Sequence, residues 1–378
     1  MSLKDFTDAT KRRQFLEKKL NINLEKVANF DFKEEQVTGR NIENLIGATQ
    51  IPLGIAGPLK IVNRKSLIVN HFIPLATTEG ALVASVSRGC KATTESGGAA
   101  VFVEDVGITR GPVFKTKNLN QSFKTKKWIE NNLKLLSLAT QKTSSHLKLL
   151  KTFVSIVGRN LFVRFSFQTA DAMGMNMATV ATEEAVKLIE EKTQASCISL
   201  AGNFDIDKKP AWLNFTLGRG KKVWAEVILS KKIVKDILKT TPQKITDLVY
   251  RKNQLGSIMS GSMGFNAHFA NVIAAIFIAT GQDPAHVVEG SLGVTTAEVL
   301  ENGSLYFSIY MPSLIVGTVG GGTHLPAQQE ALKIMQVNSV LEYSRVVAAA
   351  ILAGELSLIA SLSEGSLAKA HERLGRKL

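Results

Sequence analysis

The sequence predicts an α+β protein of two or three structural units. Three observations carry that expectation. The 378 residues exceed one ordinary domain of roughly 100–200 residues. Strand-like and helix-like runs lie side by side between positions 111 and 200, the pattern of a compact α+β insert. From Asn271 onward long apolar helical runs dominate, broken by glycine clusters.

The elements follow in order. Residues 1–40 are charged and read as helical, with Phe15, Leu20, Ile22, Leu24 and Val27 supplying a partial apolar stripe. ENLIGATQIPLGIAGPLKI carries Pro52, Pro58, Gly47, Gly54 and Gly57, a density of turn residues that predicts a shaped loop between strands. Residues 77–90 are small and apolar and read as a buried helix. A Lys-rich segment (Lys115, Lys117, Lys124, Lys126, Lys127) leads into Trp128 and reads as a solvated surface. TFVSIVG and NLFVRFSFQT read as strands, the second alternating with period two. MATVATEEAVKLIEEKT reads as a helix, and CISLAGN follows it. There is no internal repeat and no low-complexity tract.

Hydrophobic residues at 45% and charged residues at 21% exclude wholesale disorder. The formal charge of +14 points to an anionic partner: nucleic acid, an acidic membrane surface or a phosphorylated small molecule. Nucleic acid is disfavoured. No RRM, KH, zinc-finger or helix-turn-helix signature is present, and four tyrosines and three tryptophans are few for base stacking. Two cysteines, Cys90 and Cys197, make no disulfide framework. No apolar run is read as reaching the ~18–20 residues of a membrane span; the best, 346–354, is bounded by Arg345 and Glu355. The N-terminus lacks the apolar stretch of a signal peptide. These features predict a cytoplasmic protein without a membrane partner.

Several motifs carry chemistry. In PLATTEGALVASVSRGCKA, Glu79 is either a helix-start charge or a site acid held by burial. Ser85, Arg88 and Lys91 recur every third residue and share one helix face, which either holds phosphates or is solvated. In AGNFDIDKKPAW, a lysine partly withdrawn from water can stabilise an oxyanion, though a charged turn ended by proline reads the same way. In TADAMGMNMATVATEEA, Gly174 among methionines precedes a helix whose N-terminus suits an anion. Asn271 and Asp283 bracket an apolar helix, with His268 and His286 nearby. No HExxH motif or Cys/His cluster accompanies them, so no metal is expected. VGTVGGGTHLPAQ supplies a flexible glycine turn able to admit a dinucleotide, although it is not a Rossmann fingerprint. His371, on a short basic tail, is a natural proton donor to a leaving thiolate.

In order, ENLIGATQIPLGIAGPL, PLATTEG, DAMGMNM, DKKP, GFNAHFAN…GQD, GTVGGGT and AGELSL resemble the catalytic region of 3-hydroxy-3-methylglutaryl-CoA (HMG-CoA) reductases. The resemblance runs from about Glu43 to His371, and the DKKP and DAMGMNM forms are similar to the class I, biosynthetic branch. It implies reduction of HMG-CoA to mevalonate and CoA in two hydride transfers, and roles for particular residues. Glu79 is the implied catalytic glutamate, Lys208 the oxyanion lysine, Asp283 the aspartate coupling the two, and His371 the proton donor to CoA. Arg110, Asp207, Lys209, Lys252 and Asn271 are implied to hold the hydroxymethylglutaryl group, and Ser85, Arg88, Lys91, Lys239 and His268 the CoA side. Asp171, Met173, Gly174, Met175, Asn176 and Met177, with Val319, Gly320, Gly321 and Gly322, match the nicotinamide dinucleotide site.

The sequence departs from the family pattern at two places. Ala201 stands where relatives often carry a serine, which removes one expected substrate hydrogen bond. TSSHLKL, with Ser144, Ser145 and His146, lacks the arginine that reads a 2′-phosphate, although Lys142 and Lys148 lie close. NADPH is the expected cofactor. The alternative is an NADH-preferring enzyme, running in the oxidative direction.

The resemblance also implies an architecture: a large substrate-binding domain around a central helix, with an inserted small ferredoxin-like cofactor-binding domain. The expected boundaries are a helical segment over 1–40, the large domain over 41–111 and 201–378, and the small domain over 112–200. A homodimer or higher homo-oligomer with sites at the subunit interface is implied. No counterpart to the membrane anchor or C-terminal phosphorylation segment of animal relatives is expected.

Overall fold

One strand, Ala99–Arg110, joins two sheets and so organises the molecule. In this computed structural model, residues 5–62 and 68–365 are described. Positions 100–107 of that strand pair antiparallel with Gly220–Leu229, and positions 108–110 with Asn160–Gln168. The change of partner falls at a bulge between Asp105 and Gly107. Gly107 has φ +83°, and a Cβ there would lie 2.8 Å from the Phe167 carbonyl oxygen. Only glycine lets the two sheets approach at that corner.

On one side, Leu53–Val62 and Ile68–Ala76 form an antiparallel pair beside Ala99–Arg110. Gly220–Leu229, Leu305–Leu314, Gly293–Val299 and Gly264–Phe265 extend the sheet on the other side. The turn-rich stretch expected to be a loop is therefore largely strand. Gly57 and Pro58 sit in its register shift between Ala56 and Leu59, where strands tolerate such residues. The helix expected over 77–90 is Leu82–Glu95, preceded by Ala81 at φ +72°.

The core of this half surrounds the 25-residue helix Val340–Glu364, most of whose residues are buried. Here the expectation of no span-length apolar run is corrected. The helix is long and apolar enough to cross a bilayer, with hydropathy 2.0 over its best window. Yet 83% of that window is buried inside the molecule, as in the core helix of a folded domain. Arg345 and Glu355 do not end it. Gly89 of helix Leu82–Glu95 packs so closely that a Cβ would meet the Ala353 carbonyl oxygen at 1.8 Å.

A second core draws on residues between Ile108 and Ala195 and on Ile315. Its strands lie in the order Ser196–Ser199, Val113–Lys115, Asn160–Gln168, Lys148–Val157, all antiparallel. Helices Leu119–Asn131, Leu133–Gln141 and Met175–Thr193 supply its other buried face. Lys124 and Lys127 of the Lys-rich run are exposed, as a solvated face requires.

The first 40 residues are less helical than expected. Helix Ala9–Leu20 ends at Asn21 in the left-handed region, and only the single turn Glu34–Val37 follows among the described residues. Leu20 and Ile22 are 56% and 46% exposed, because the chain leaves helical phase before the apolar stripe can close.

Candidate active site

The DKKP segment is an irregular loop that needs support. Ile206 and Lys208 both adopt positive φ, +55° and +56°, a region costing non-glycine residues of order 1–3 kcal/mol each. Two buried arginines supply that support. The Arg164 guanidinium donates to the carbonyls of Phe204 and Asp205, each at 3.1 Å, to Asn214 Oδ1 and to the Gly218 carbonyl, each at 2.9 Å. Asn214 in turn donates to the Ile206 carbonyl at 2.9 Å. Burial, with repulsion from Arg219, lowers the Arg164 pKa to about 10, and Asp205 opposes the shift.

Arg219 is fully buried. Its Nε donates to Thr109 Oγ1 at 2.8 Å, Nη1 pairs with Glu289 Oε1 at 2.8 Å, and Nη2 lies 2.9 Å from Asp207 Oδ1. The same Glu289 oxygen accepts the Lys208 backbone N–H at 2.6 Å. Loop residues 207 and 208 are thus tied to one arginine, one through its side chain and the other through its backbone.

With its backbone held, the Lys208 side chain reaches Asp283. Lys208 Nζ lies 2.8 Å from Asp283 Oδ2, both half-exposed, while Asp283 Oδ1 accepts the Ala285 N–H at 3.0 Å. The hydrogen bond that Lys208 donates to Asp283 raises the lysine pKa, against partial burial. For Asp283, burial pushes upward. The Lys208 hydrogen bond, the Ala285 N–H and the charges of His286 and Lys208 outweigh it, so the net shift is downward. Both shifts favour the charged pair, a cation held beside an open surface.

The turn carrying Asp283 is clasped to the glycine loop. Gln282 Nε2 donates to the Gly317 carbonyl at 2.8 Å, and the Gly317 N–H donates to Gln282 Oε1 at 2.9 Å. Gly281 and Gly322 touch backbone to backbone, and a Cβ on Gly281 would lie 2.3 Å from the Gly322 carbonyl oxygen. Gly320 and Gly321 have φ +80° and +56°, and a Cβ on either would face open space. The TADAMGMNM segment meets this loop, since Thr318 N–H donates to the Asp171 carbonyl at 2.8 Å and Ala172 bridges to Val319. Asp171 Oδ1 accepts the Val340 N–H at 2.8 Å. Gly174, at φ +85°, starts helix Met175–Thr193, and any Cβ there would strike Thr169 at 2.3 Å. Met175 Sδ lies 3.4 Å from Arg219 Nη2. A cleft of about 680 Å³ opens here, lined by Asp171, Val319, Gly320, His324 and Lys333 among others.

A protein-family model described as hydroxymethylglutaryl-coenzyme A reductase matches residues 8–376. The 3-hydroxy-3-methylglutaryl-coenzyme A reductase of Pyrococcus horikoshii is 50% identical over 375 residues, covering 97% of this chain and 91% of the relative. That of Methanocaldococcus jannaschii is 50% identical over 374 residues, covering 97% and 92%. The chain belongs to the hydroxymethylglutaryl-coenzyme A reductase family. It is therefore an oxidoreductase of that kind. Among solved structures, a class II HMG-CoA reductase from Streptococcus pneumoniae, bound to NADPH in open conformations, superposes with TM-score 0.72. It shares 18% identity and covers 94% of this chain and 97% of its own, a likeness of fold.

Set beside the family motifs, some expected site residues meet and others do not. The Lys208–Asp283 pair forms, but the expected coupling of both to Glu79 is not seen within the described single chain. Glu79 is exposed, not buried, and accepts from Asn271 Nδ2 at 2.7 Å. Asn271 sits at the start of helix Phe269–Thr280 and Asp283 beyond its end, with about 13 Å of helix between them at 1.5 Å per residue.

The substrate and CoA candidates scatter along the fold. Arg110 pairs with buried Asp205 at 3.3 Å, Lys209 Nζ donates to the Asp207 carbonyl at 3.1 Å, and Lys252 is exposed on the π-helical stretch Val249–Gly256. Ser85 and Arg88 share a helix face as expected, but they turn toward Ser357 and Ser361 of the C-terminal helix. Lys91 lies exposed near Glu95. Arg88 and Lys91 line a cleft of about 630 Å³. Lys239 is exposed at φ +60°, and His268 Nε2 is buried without a hydrogen-bond partner. Ser144 lies 3.7 Å from Met177 Sδ, and Ser145 and Asn176 are exposed. His371 lies outside the described residues.

Sequence reasoning missed Arg219, Glu289, Gln282 and Arg164. Gln282 stood in the quoted GQD motif. Arg164 and Glu289 gave no local signal, because Arg164 lies 40–54 positions from its partners and Glu289 lies 70 and 81 positions from Arg219 and Lys208. It also missed that Asp207, His286 and Glu289 bring three potential ligand atoms within 4.8 Å of one another. The cation already placed there is the Arg219 guanidinium, which engages both carboxylates.

Proposed function

We propose that this chain reduces HMG-CoA to mevalonate and CoA by two hydride transfers from NADPH, as a class I, biosynthetic-type enzyme in the cytoplasm. The observation that supports the reading best is the Lys208–Asp283 pair, clasped through Gln282 to the glycine loop. A hydride arriving at a thioester carbon builds negative charge on its oxygen, and a preorganised ammonium is the group that stabilises it. Asp283 keeps Lys208 charged. Glu79, steadied by Asn271, polarises or protonates the carbonyl oxygen, and His371 returns a proton to the departing thiolate. Arg110, Asp207, Lys209, Lys252 and Asn271 hold the hydroxymethylglutaryl group. Ser85, Arg88, Lys91, Lys239 and His268 serve the CoA side, beside the cleft lined by Arg88 and Lys91.

A nicotinamide dinucleotide suits the second cleft. Gly320 and Gly321 leave room for a ligand to approach the backbone, and the helix starting at Met175 presents its N-terminus to an anion. Asp171, Met173, Gly174, Met175, Asn176, Met177, Val319, Gly320, Gly321 and Gly322 would hold it, with Ser144 and Ser145 near the adenosine end. It would supply the hydride. The residues around the second core are read as a small ferredoxin-like cofactor domain, a reading that its β-α-β-β-α-β order supports.

Glu79 and the Lys208–Asp283 pair lie at opposite ends of one helix. A complete site therefore draws Glu79 from one copy and Lys208 from another, which makes the enzyme a homodimer or a larger homo-oligomer. The test is direct: mix the protein with HMG-CoA and either NADPH or NADH and follow the nicotinamide absorbance. NADPH-dependent oxidation that disappears in Lys208→Ala, with its fold retained, is expected. Full activity in that variant would remove Lys208 from the mechanism, and a strong NADH preference would overturn the cofactor assignment.

A further inference from the structure

We propose that His286, as an imidazolium, is a positioning residue that bridges Asp283 and Glu289 and thereby holds Lys208 and Asp283 in register. The proposal rests on the catalytic reading of Lys208 and Asp283 given above. Within the loop and turn, His286 is 1% exposed. Its Nδ1 faces Glu289 Oε2 at 3.5 Å and its Nε2 faces Asp283 Oδ2 at 3.9 Å. Both ring nitrogens and Glu289 Oε2 are buried without a hydrogen-bond partner. Buried polar atoms seldom stay unpaired. A neutral imidazole donates from one nitrogen only, whereas the imidazolium donates from both. Two carboxylates on opposite sides of one ring are the acceptors that the charged form requires.

Charge balance points the same way. The groups gathered around the ring are Asp207, Asp283 and Glu289 against Lys208 and Arg219. Three carboxylates outweigh two cations. Glu289 is the fully buried carboxylate of the group, and its second oxygen, unpartnered otherwise, is the one a protonated His286 compensates. Glu289 is the shared point: its Oε1 takes Arg219 and the Lys208 backbone N–H, leaving Oε2 for His286. The bridge therefore ties the backbone of Lys208 to the side chain of its partner Asp283.

Without the bridge the Lys208–Asp283 pair loosens. The steady-state consequence of losing it is a fall in kcat with KM for HMG-CoA little changed. His286→Phe keeps the ring volume and removes both nitrogens. It is expected to lower kcat by about ten- to a hundredfold, the scale of a group displaced by about 1 Å, with KM for HMG-CoA little changed. Glu289→Gln removes one carboxylate facing the ring and should likewise lower kcat with KM for HMG-CoA little changed. Wild-type kcat in both variants, or a loss confined to KM, would overturn the proposal.

If His286→Phe does not fold, imidazole NMR of the wild-type protein decides. The His286 signal, identified as the one that Glu289→Gln moves, should be that of an imidazolium under the conditions of turnover; a neutral ring there would overturn the proposal. If Lys208→Ala retained turnover, the catalytic reading itself would fail. If Lys208→Ala were dead but His286 neutral, only this inference would.

Discussion

At the scale of single residues, the Lys208–Asp283 pair sets a pH dependence with a definite sign. The Asp283 pKa is lowered, so its contribution is present above the ordinary carboxylate range and lost as pH falls through the lowered value. The Lys208 pKa is raised, so its contribution is present below the ordinary lysine range and lost as pH rises through the raised value. The ion pair is therefore intact across neutrality. Asp283→Asn removes the group that raises the lysine most. The pH midpoint for labelling of Lys208 by an amine reagent should then fall, and an unmoved midpoint would contradict the pairing. Lys208 was legible in DKKP through the resemblance to the family motif, since a charged turn ended by proline reads the same way on its own. Its support was not, since Glu289 lies 81 positions from Lys208 and 70 from Arg219 and meets them only when the fold closes.

At the scale of elements, Glu355 shows how an apolar helix can carry a polar hub. It lies fully buried within Val340–Glu364. Its carboxyl oxygens accept from the backbone N–H groups of Ala267 and His268 at 2.6 and 3.0 Å, from Thr295 Oγ1 at 2.8 Å and from Asn253 Nδ2 at 3.1 Å. It thereby caps the entry to helix Phe269–Thr280, the element separating Asn271 from Asp283. Glu355→Leu strands several buried donors at about 1–3 kcal/mol each. A clear drop in the thermal unfolding temperature is expected, and an unchanged one would show that water replaces the lost bonds. In the sequence, Glu355 read as the end of an apolar run. Helical periodicity places a residue on a face without saying whether that face meets solvent or a partner able to satisfy a charge.

At the scale of the whole molecule, the separation of Glu79 from Lys208 makes subunit mixing informative. In a hybrid of Glu79→Gln and Lys208→Ala subunits, one interface site would combine both defects and the other neither. Co-refolding the two inactive variants as an unbiased dimer mixture should restore about a quarter of wild-type activity, from hybrids at half abundance with one good site each. No recovery, with hybrids shown to form, would place the site within one chain.

Sequence by itself determined the chemistry-bearing segments, their order and the class of protein. DKKP, DAMGMNM, GQD and the glycine loop are local patterns, with turn residues and charges close enough to be read together. It also indicated the mixed texture of 111–200. Only the tertiary structure decided that the Asp283 turn clasps the glycine loop through Gln282. It also decided that Arg219 and Glu289 shape the lysine loop, that Arg88 turns toward the C-terminal helix, and that the most apolar helix is a buried core element. Each depends on contacts between distant parts of the chain, where burial and charge pairing are settled by three-dimensional proximity rather than by spacing along the sequence.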